Sequence, residues 1–176
     1  YHHFIGSVKP VEGRDGIHNS AAIIKSIQQD DRVRGVARKL NGQVFFNVGS
    51  VNVPGNLNGI DASIENQLFE FEKYIVKGEY LDIERRVNTV ILGAELADKI
   101  LAKIGDVVQV TSSSGEVHQL KLVALYQSGI SDIDKTMCYA SVETTQKILA
   151  KPSYYITEIH VKLHDLSKAP EIARQY

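Results

Sequence analysis

The chain has 176 residues, of which 43% are hydrophobic and 23% charged, and its formal net charge is −1. That length suffices for one domain, or two small ones, with real cores. The near-neutral balance argues against a generic nucleic-acid binder, which carries a basic face, and no apolar run approaches the roughly 20 residues of a membrane-spanning helix. The single cysteine, Cys138, cannot form an internal disulfide, and its neighbours Met137, Tyr139 and Ala140 place it in a buried strand. The chain begins at Tyr1 without a leader pattern and reads as a piece of a longer protein, so the lack of a targeting segment says nothing about the parent.

Residues 3–8 read as a first strand, closed by Pro10 and a charged loop over 12–16. Asn19 or Ser20 can cap a helix reaching about Gln29, with Ile23, Ile24 and Ile27 on its buried face. Val33, Val36 and Leu40 begin an extended segment in which Arg32, Arg34, Arg38 and Lys39 read as the solvated face. Asn41-Gly42 is a hairpin signal, because both positions tolerate positive φ. A strand over 44–53 follows, and then VPGNLNGID (53–61), whose Pro, Gly and Asn content predicts a loop. Ile64, Leu68, Phe71 and Ile75 have helical spacing, and Gly78 ends that helix.

A polar connection over 77–88 leads to Val90, Ile91 and Leu92, an apolar strand stopping at Gly93. From Ala94 to Ile104 the period turns helical, with Ala97, Ile100, Leu101 and Ile104 as one stripe and Gly105 as the left-handed terminus. Residues 107–111 read as a strand, 112–115 as a turn, and Leu120, Leu122, Ala124 and Tyr126 as one face of a longer strand. Residues 128–135 form a loop and 136–140 an apolar strand. Ser141 caps a helix through Leu149, with Val142, Ile148 and Leu149 inward. After a turn over 151–155, residues 156–164 alternate Ile159, Val161 and Leu163 against Glu158, His160, Lys162 and His164. Ser167 starts a last helix with Pro170 in its first turn.

Residues with chemical potential are few. His160 and His164 have a zinc-ligand spacing on a helix, but on a strand they stand about 13 Å apart, too far for one ion. Ser112, Ser113 and Ser114 lack the strand-turn-helix elbow of a nucleophile. Asp132 and Asp134 resemble part of a calcium loop without its remaining oxygens or closing glutamate. Glu95, Asp98 and Asp106 fall on the polar side of their helix. No phosphate-binding glycine loop occurs. We assign no catalytic, cofactor-binding or metal residue.

Three stretches in order carry a family resemblance: VILGAELADKI (90–100), IGDVVQV (104–110) and LVALYQSGISDIDKTMCYAS (122–141), with VNVPGNLNGIDA (51–62) and EFEKYIVKGEYL (70–81) before them. Together they resemble the extracytoplasmic domain of ABC-transporter permeases of the MacB and LolC/LolE (lipoprotein-releasing) type. The resemblance implies an α+β, two-lobed fold: a Porter-like β-α-β subdomain (1–76 and 135–176) and an inserted β-rich Sabre-like subdomain (77–134). It implies a non-enzymatic domain without cofactors, on the periplasmic side of a bacterial inner membrane. The implied partners are a second permease subunit, a separate cytoplasmic ATPase, and a lipoprotein or its periplasmic chaperone. In the LolC type a long proline-containing loop grips that chaperone, whereas the connection here, 112–116, is a tight turn. Apolar positions around Val53 to Leu57 are the contact candidates. The rival readings are a MacB-like efflux or FtsX-like signalling permease, and a small ligand-binding or enzymatic barrel around 105–126 with a deep polar pocket.

Overall fold

The computed structural model describes residues 16–17 and 19–176. The strand expected over 3–8 and most of the loop over 12–16 lie outside them. Helix α1 (Ser20–Gln28) packs on a long hairpin of β1 (Val33–Val48) and β2 (Val51–Ile60). Helix α2 (Ala62–Phe69) and a 3-10 turn, Phe71–Tyr74, lead to β3 (Ile75–Gly78) and the one-turn α3 (Asp82–Arg85). Then come β4 (Thr89–Gly93), α4 (Ala94–Lys99), β5 (Val107–Ser112), β6 (Val117–Tyr126) and α5 (Ser131–Asp134). The chain finishes with β7 (Met137–Ser141), α6 (Val142–Ile148), β8 (Glu158–Leu163), a 3-10 turn and α7 (Ala169–Ala173). The fold is mixed α+β.

The strands form one sheet in the order β2-β7-β4-β6-β5-β1-β8, with β3 on β6 and a further pairing of β1 with β2. That last pairing closes β1-β2-β7-β4-β6-β5 into a ring. Strand β1 makes closure possible by its length. One edge pairs with β2 from Lys39↔Ile60 to Val48↔Val51, while the other pairs with β8 over Val33 to Lys39 and with β5 over Val44 to Phe46.

The ring interior is apolar. Val44, Phe46, Val53, Leu57, Val90, Leu92, Val110, Leu120, Leu122 and Cys138 meet there, and Leu96, Ala97 and Ile100 of α4 plug it. A second core lies where α2, α3 and the first 3-10 turn cover β4, β6 and β7. There Phe71 stacks on Tyr80 (5.2 Å) and Tyr126 (5.1 Å) and meets Tyr139 edge-on (4.8 Å). A third places α1 and α6 on β1 and β8, around Ile27, Val36, Val142, Ile156 and Ile159.

Several sequence expectations change. Asn41-Gly42 is not a turn: both residues lie inside β1, and the chain reverses at Gly49-Ser50, where Gly49 has φ +59°. Gly42 is small because the Leu149 side chain fills the place of its Cβ. The expected loop VPGNLNGID is largely strand β2, with Val53, Gly55, Leu57 and Gly59 buried in alternation. Phe46 occupies the missing side chain of Gly55, and Thr145 that of Gly59. Pro54 is tolerated because its nitrogen points the same way as that of Asn56, which donates to Thr136 O (2.8 Å), and β7 begins opposite Asn56. Val53 and Leu57, offered as contact candidates, are core residues. The polar connection 77–88 holds α3, with Tyr80 and Ile83 fully buried.

Leu120, Leu122, Ala124 and Tyr126 are all buried, but on two faces. A bulge at Val123 (Val90↔Leu122, then Ile91↔Ala124) shifts the alternation by one, so Leu120 and Leu122 point into the ring and Ala124 and Tyr126 into the aromatic core. Neither Asn19 nor Ser20 caps α1: Ser20 Oγ instead donates to the Tyr154 carbonyl (2.9 Å). Ser141 does cap α6, accepting from Thr144 N–H (3.0 Å).

The passage from β4 to α4 depends on Gly93, whose Cβ would collide with the Asp134 backbone carbonyl. Gly93→Ala is therefore expected to cost about 1–3 kcal/mol of unfolding free energy in urea, as overpacking against backbone does. Gly105→Ala faces open space and is strained only by its φ of +94°, so it should cost roughly 1 kcal/mol.

Candidate partner-contact site

Helix α4 stops earlier than the sequence suggests. Ala102 N–H bonds to Ala97 O (2.9 Å) and Leu101 N–H to Asp98 O (3.1 Å), the double closure of a helix end whose linking residue is left-handed. That residue is Leu101, with φ +58°. Glycine is the usual occupant, since a Cβ there costs about 1–2 kcal/mol. The Leu101 side chain is 82% exposed, so it does not join the predicted apolar stripe. Downstream, Asp106 Oδ2 accepts from Lys103 N–H (2.8 Å), and Gly105 N–H bonds to Leu122 O (2.8 Å).

Leu101 belongs to one end of the barrel. A groove of about 420 Å³ there is lined by the β1 tip (Phe46 to Gly49) and by residues 100–102 and 106–109. Val107 is 62% exposed, and Val51, paired with Val48 at the hairpin tip, is 58% exposed. Val107 pairs with Lys121, whose N–H bonds to Asn88 O (2.9 Å). This places Val87, 81% exposed, about two strand widths, or roughly 10 Å, from Val107. Exposed aliphatic side chains on neighbouring segments mark an interaction surface more often than single ones do.

On the flank of the barrel, α2 is fastened to β1 and β8 by charge. Arg38 forms a bidentate pair with Asp61 (2.7 and 2.8 Å) and reaches Glu143 (3.3 Å). Lys39 Nζ lies 3.0 Å from Glu65 Oε1, while Glu65 Oε2 is buried without a partner. Lys162 Nζ donates to the Leu68 carbonyl at the end of α2, and the ring of Phe69 meets His160 edge-on. These cations do more than face solvent, as their alternation suggested. Burial raises the Glu65 carboxyl above its ordinary value, outweighing the lowering by Lys39. Burial and the Lys39 charge lower His160, against the opposing pull of Glu158 2.7 Å away.

The remaining sequence candidates resolve into structural roles. His160 is buried, whereas His164 is exposed beyond the end of β8, and among the described residues no three His, Cys, Asp or Glu side chains could hold a metal. Asp134 accepts from Ser128 N–H (2.7 Å), Ser128 Oγ (2.8 Å) and Gly129 N–H (3.1 Å), so it shapes its own loop. Asp132 is exposed. Ser112 Oγ lies 2.8 Å from Ser114 Oγ inside a tight turn closed by Ser112 N–H to Glu116 O (3.0 Å). Glu95 accepts from Ser131 Oγ (2.9 Å), and Asp98 is exposed. Burial pushes the Cys138 thiol up, and it points at Asn56 O (3.4 Å). Where the barrel-enzyme reading expects a polar pocket, the described residues place a packed apolar interior.

The titrations of the α2 flank have opposite signs. A lowered His resists protonation in the fold. Wild type should therefore lose stability relative to His160→Gln as pH falls below about 6.5, the ordinary His value, toward the folded one. Glu65, being raised, favours the fold below its ordinary value of about 4.5. Relative to Glu65→Gln, wild type should lose stability as pH rises through the elevated value. Urea midpoints across pH measure both differences, and parallel curves would refute the assignments.

The comparisons follow this architecture. The sequence model of the MacB-like periplasmic core domain matches residues 4–175. The chain is 23% identical to the lipoprotein-releasing system transmembrane protein LolC of Neisseria meningitidis serogroup B (strain ATCC BAA-335 / MC58), over 75% of this chain and 34% of that protein. It thus spans about a third of the length of this curated relative. Among solved structures, it is similar to the extracellular domain of the noncanonic ABC-type transporter YknZ from Gram-positive bacteria. That match has a TM-score of 0.67 and 12% identity, over 94% of this chain and 88% of the other. It is also similar to the periplasmic region of MacB from Actinobacillus actinomycetemcomitans, with a TM-score of 0.62 and 16% identity, over 89% and 73%. With a sequence match along nearly its whole length and the fold in agreement, the chain belongs to the MacB-like periplasmic core domain family.

Proposed function

We propose that the chain is the extracytoplasmic part of an inner-membrane ABC permease of the lipoprotein-releasing kind, carrying ATP-driven motion to cargo outside the membrane. The relation to LolC supports the release reading. The mechanical reading rests on one observation. Strand β1 runs unbroken from the corner beside α7, where Arg32 binds Glu171 (3.2 Å) and Gln175 (2.6 Å), to the barrel tip at Val48. Sixteen residues of strand span about 50 Å. Each part of β1 is paired along at least one edge, Val33 to Lys39 with β8 and Lys39 to Val48 with β2, so the strand moves as a rod and displacement of one end reaches the other.

Within this reading the parent works as a dimer of permease subunits with a separate cytoplasmic ATPase, and a lipoprotein or its chaperone is the cargo-side partner. The division into a Porter-like part (1–76 and 135–176) and an inserted Sabre-like part (77–134) remains a proposal. It is supported by how narrowly the inserted strands join the rest of the ring: β4 meets β7 through Ile91↔Tyr139 and Leu92↔Cys138, and β5 meets β1 through Val44 to Phe46. The tight turn at 112–116 offers no long gripping loop, which favours a LolE-like subunit or a MacB-like exporter as the second reading.

Depleting the parent permease in its host should leave lipoproteins in the inner-membrane fraction on a density gradient. Normal sorting of lipoproteins on depletion would discard the release reading in favour of export.

A further inference from the structure

The barrel end combines two features that the fold itself does not use. Leu101 holds a left-handed conformation and turns its side chain to solvent, so its strain brings no burial within the chain. The same neighbourhood is basic. Arg85, Arg86, Lys103, Lys121 and Lys147 are exposed on the segments around Val87, Leu101 and Val107, and Lys147 Nζ reaches Asn88 Oδ1 (3.4 Å). Those segments hold two exposed carboxylates, Asp98 at the end of α4 and Asp106, whose Oδ2 is engaged by Lys103 N–H. Glu84, just before them, is turned to Ser63 Oγ (2.9 Å). In a chain of net charge −1 this is a local cationic excess around exposed aliphatic side chains.

We propose that the barrel end docks an acidic amphipathic segment of a soluble protein, whose apolar side chains cover Leu101, Val107 and Val51 while its carboxylates meet the surrounding Lys and Arg. Charge complementarity selects the sign of the partner. The same combination of aliphatic and basic residues suits an anionic bilayer, but position decides against it. This inference rests on the permease reading, taken with the α7 corner toward the membrane, which puts the barrel end about 50 Å from it at the far end of β1.

The test titrates the 176-residue chain against three probes: a labelled helical peptide with Leu on one face and Glu on the other, the same peptide with Lys for Glu, and phosphatidylglycerol vesicles. The acidic peptide should bind at least tenfold tighter than the basic one, and weaken with salt. Leu101→Asn keeps a residue that tolerates the left-handed backbone, so it should keep the melting temperature while weakening the acidic peptide at least tenfold. Lys103→Glu with Lys121→Glu should reverse the preference between peptides. Indifference to peptide charge, absence of acidic-peptide binding, vesicle binding in its place, or binding unaffected by Leu101→Asn would each overturn the proposal. Failure here with lipoproteins still mis-sorted on depletion removes the docking site alone; normal sorting removes the permease reading beneath it.

Discussion

The structure depends on the double pairing of β1. Its hydrogen bonds to β2 along one edge and to both β8 and β5 along the other close the ring and hang the flank from the same strand. Val44 and Phe46 face the barrel core, while Val36, nine residues before the tip region of Phe45 to Val48 begins, packs under α1. No loop separates the two environments. The chain cannot lose this strand and keep either core, because each core takes side chains from it.

Strand β6 plays the matching role on the far side of the ring. The bulge at Val123 lets one strand feed Leu120 and Leu122 to the aliphatic interior and Ala124 and Tyr126 to the aromatic layer. Without the extra residue, period-2 alternation would send all four to one side, and the cluster of Phe71, Tyr126 and Tyr139 would lose one of its three rings. Two apolar cores thus lie back to back across β6 and β4, joined by backbone hydrogen bonds and not by a linker.

Local chemistry in the sequence was legible where one residue settles the outcome. Gly93 at the end of β4, the Ser141 cap and Pro170 in α7 appear as expected, whereas β8 alternates only in part: Ile159 and Leu163 are buried, but so is His160, and Val161 is half-buried. At three glycines the expectation fails for one physical reason: a small residue signals a turn, yet here it makes room for a side chain from another element. Gly42, Gly55 and Gly59 are in strands because Leu149 and Thr145, from the far end of the chain, and Phe46, from the facing strand of the hairpin, fill their space, and one sequence does not show which side chains will meet there. The same limit hid the contact site. Leu101 has the spacing of a core residue, and only the closure of α4 one turn early turns it outward.

Costs that the fold does not recover are informative because evolved sequences otherwise agree across levels. The barrel core shows none: its residues are apolar, buried and in register. Some are scattered: Thr145 Oγ1 is buried without a partner, and Glu70 and Ala150, both exposed, are left-handed without being glycine. Two lie on the surfaces described above. One is the α2 flank, where a carboxylate oxygen of Glu65 lacks a partner and protonation of His160 is disfavoured by burial and by Lys39. The other is Leu101, strained and solvated at the same time. At the flank, neighbouring charges of both signs, Lys39 with Glu65 and Arg38 with Asp61, already offset part of the penalty. At the barrel end nothing in the described residues covers the leucine. Among the described residues Leu101 alone joins left-handed strain to a large exposed aliphatic side chain, and that is the feature the proposed docking uses.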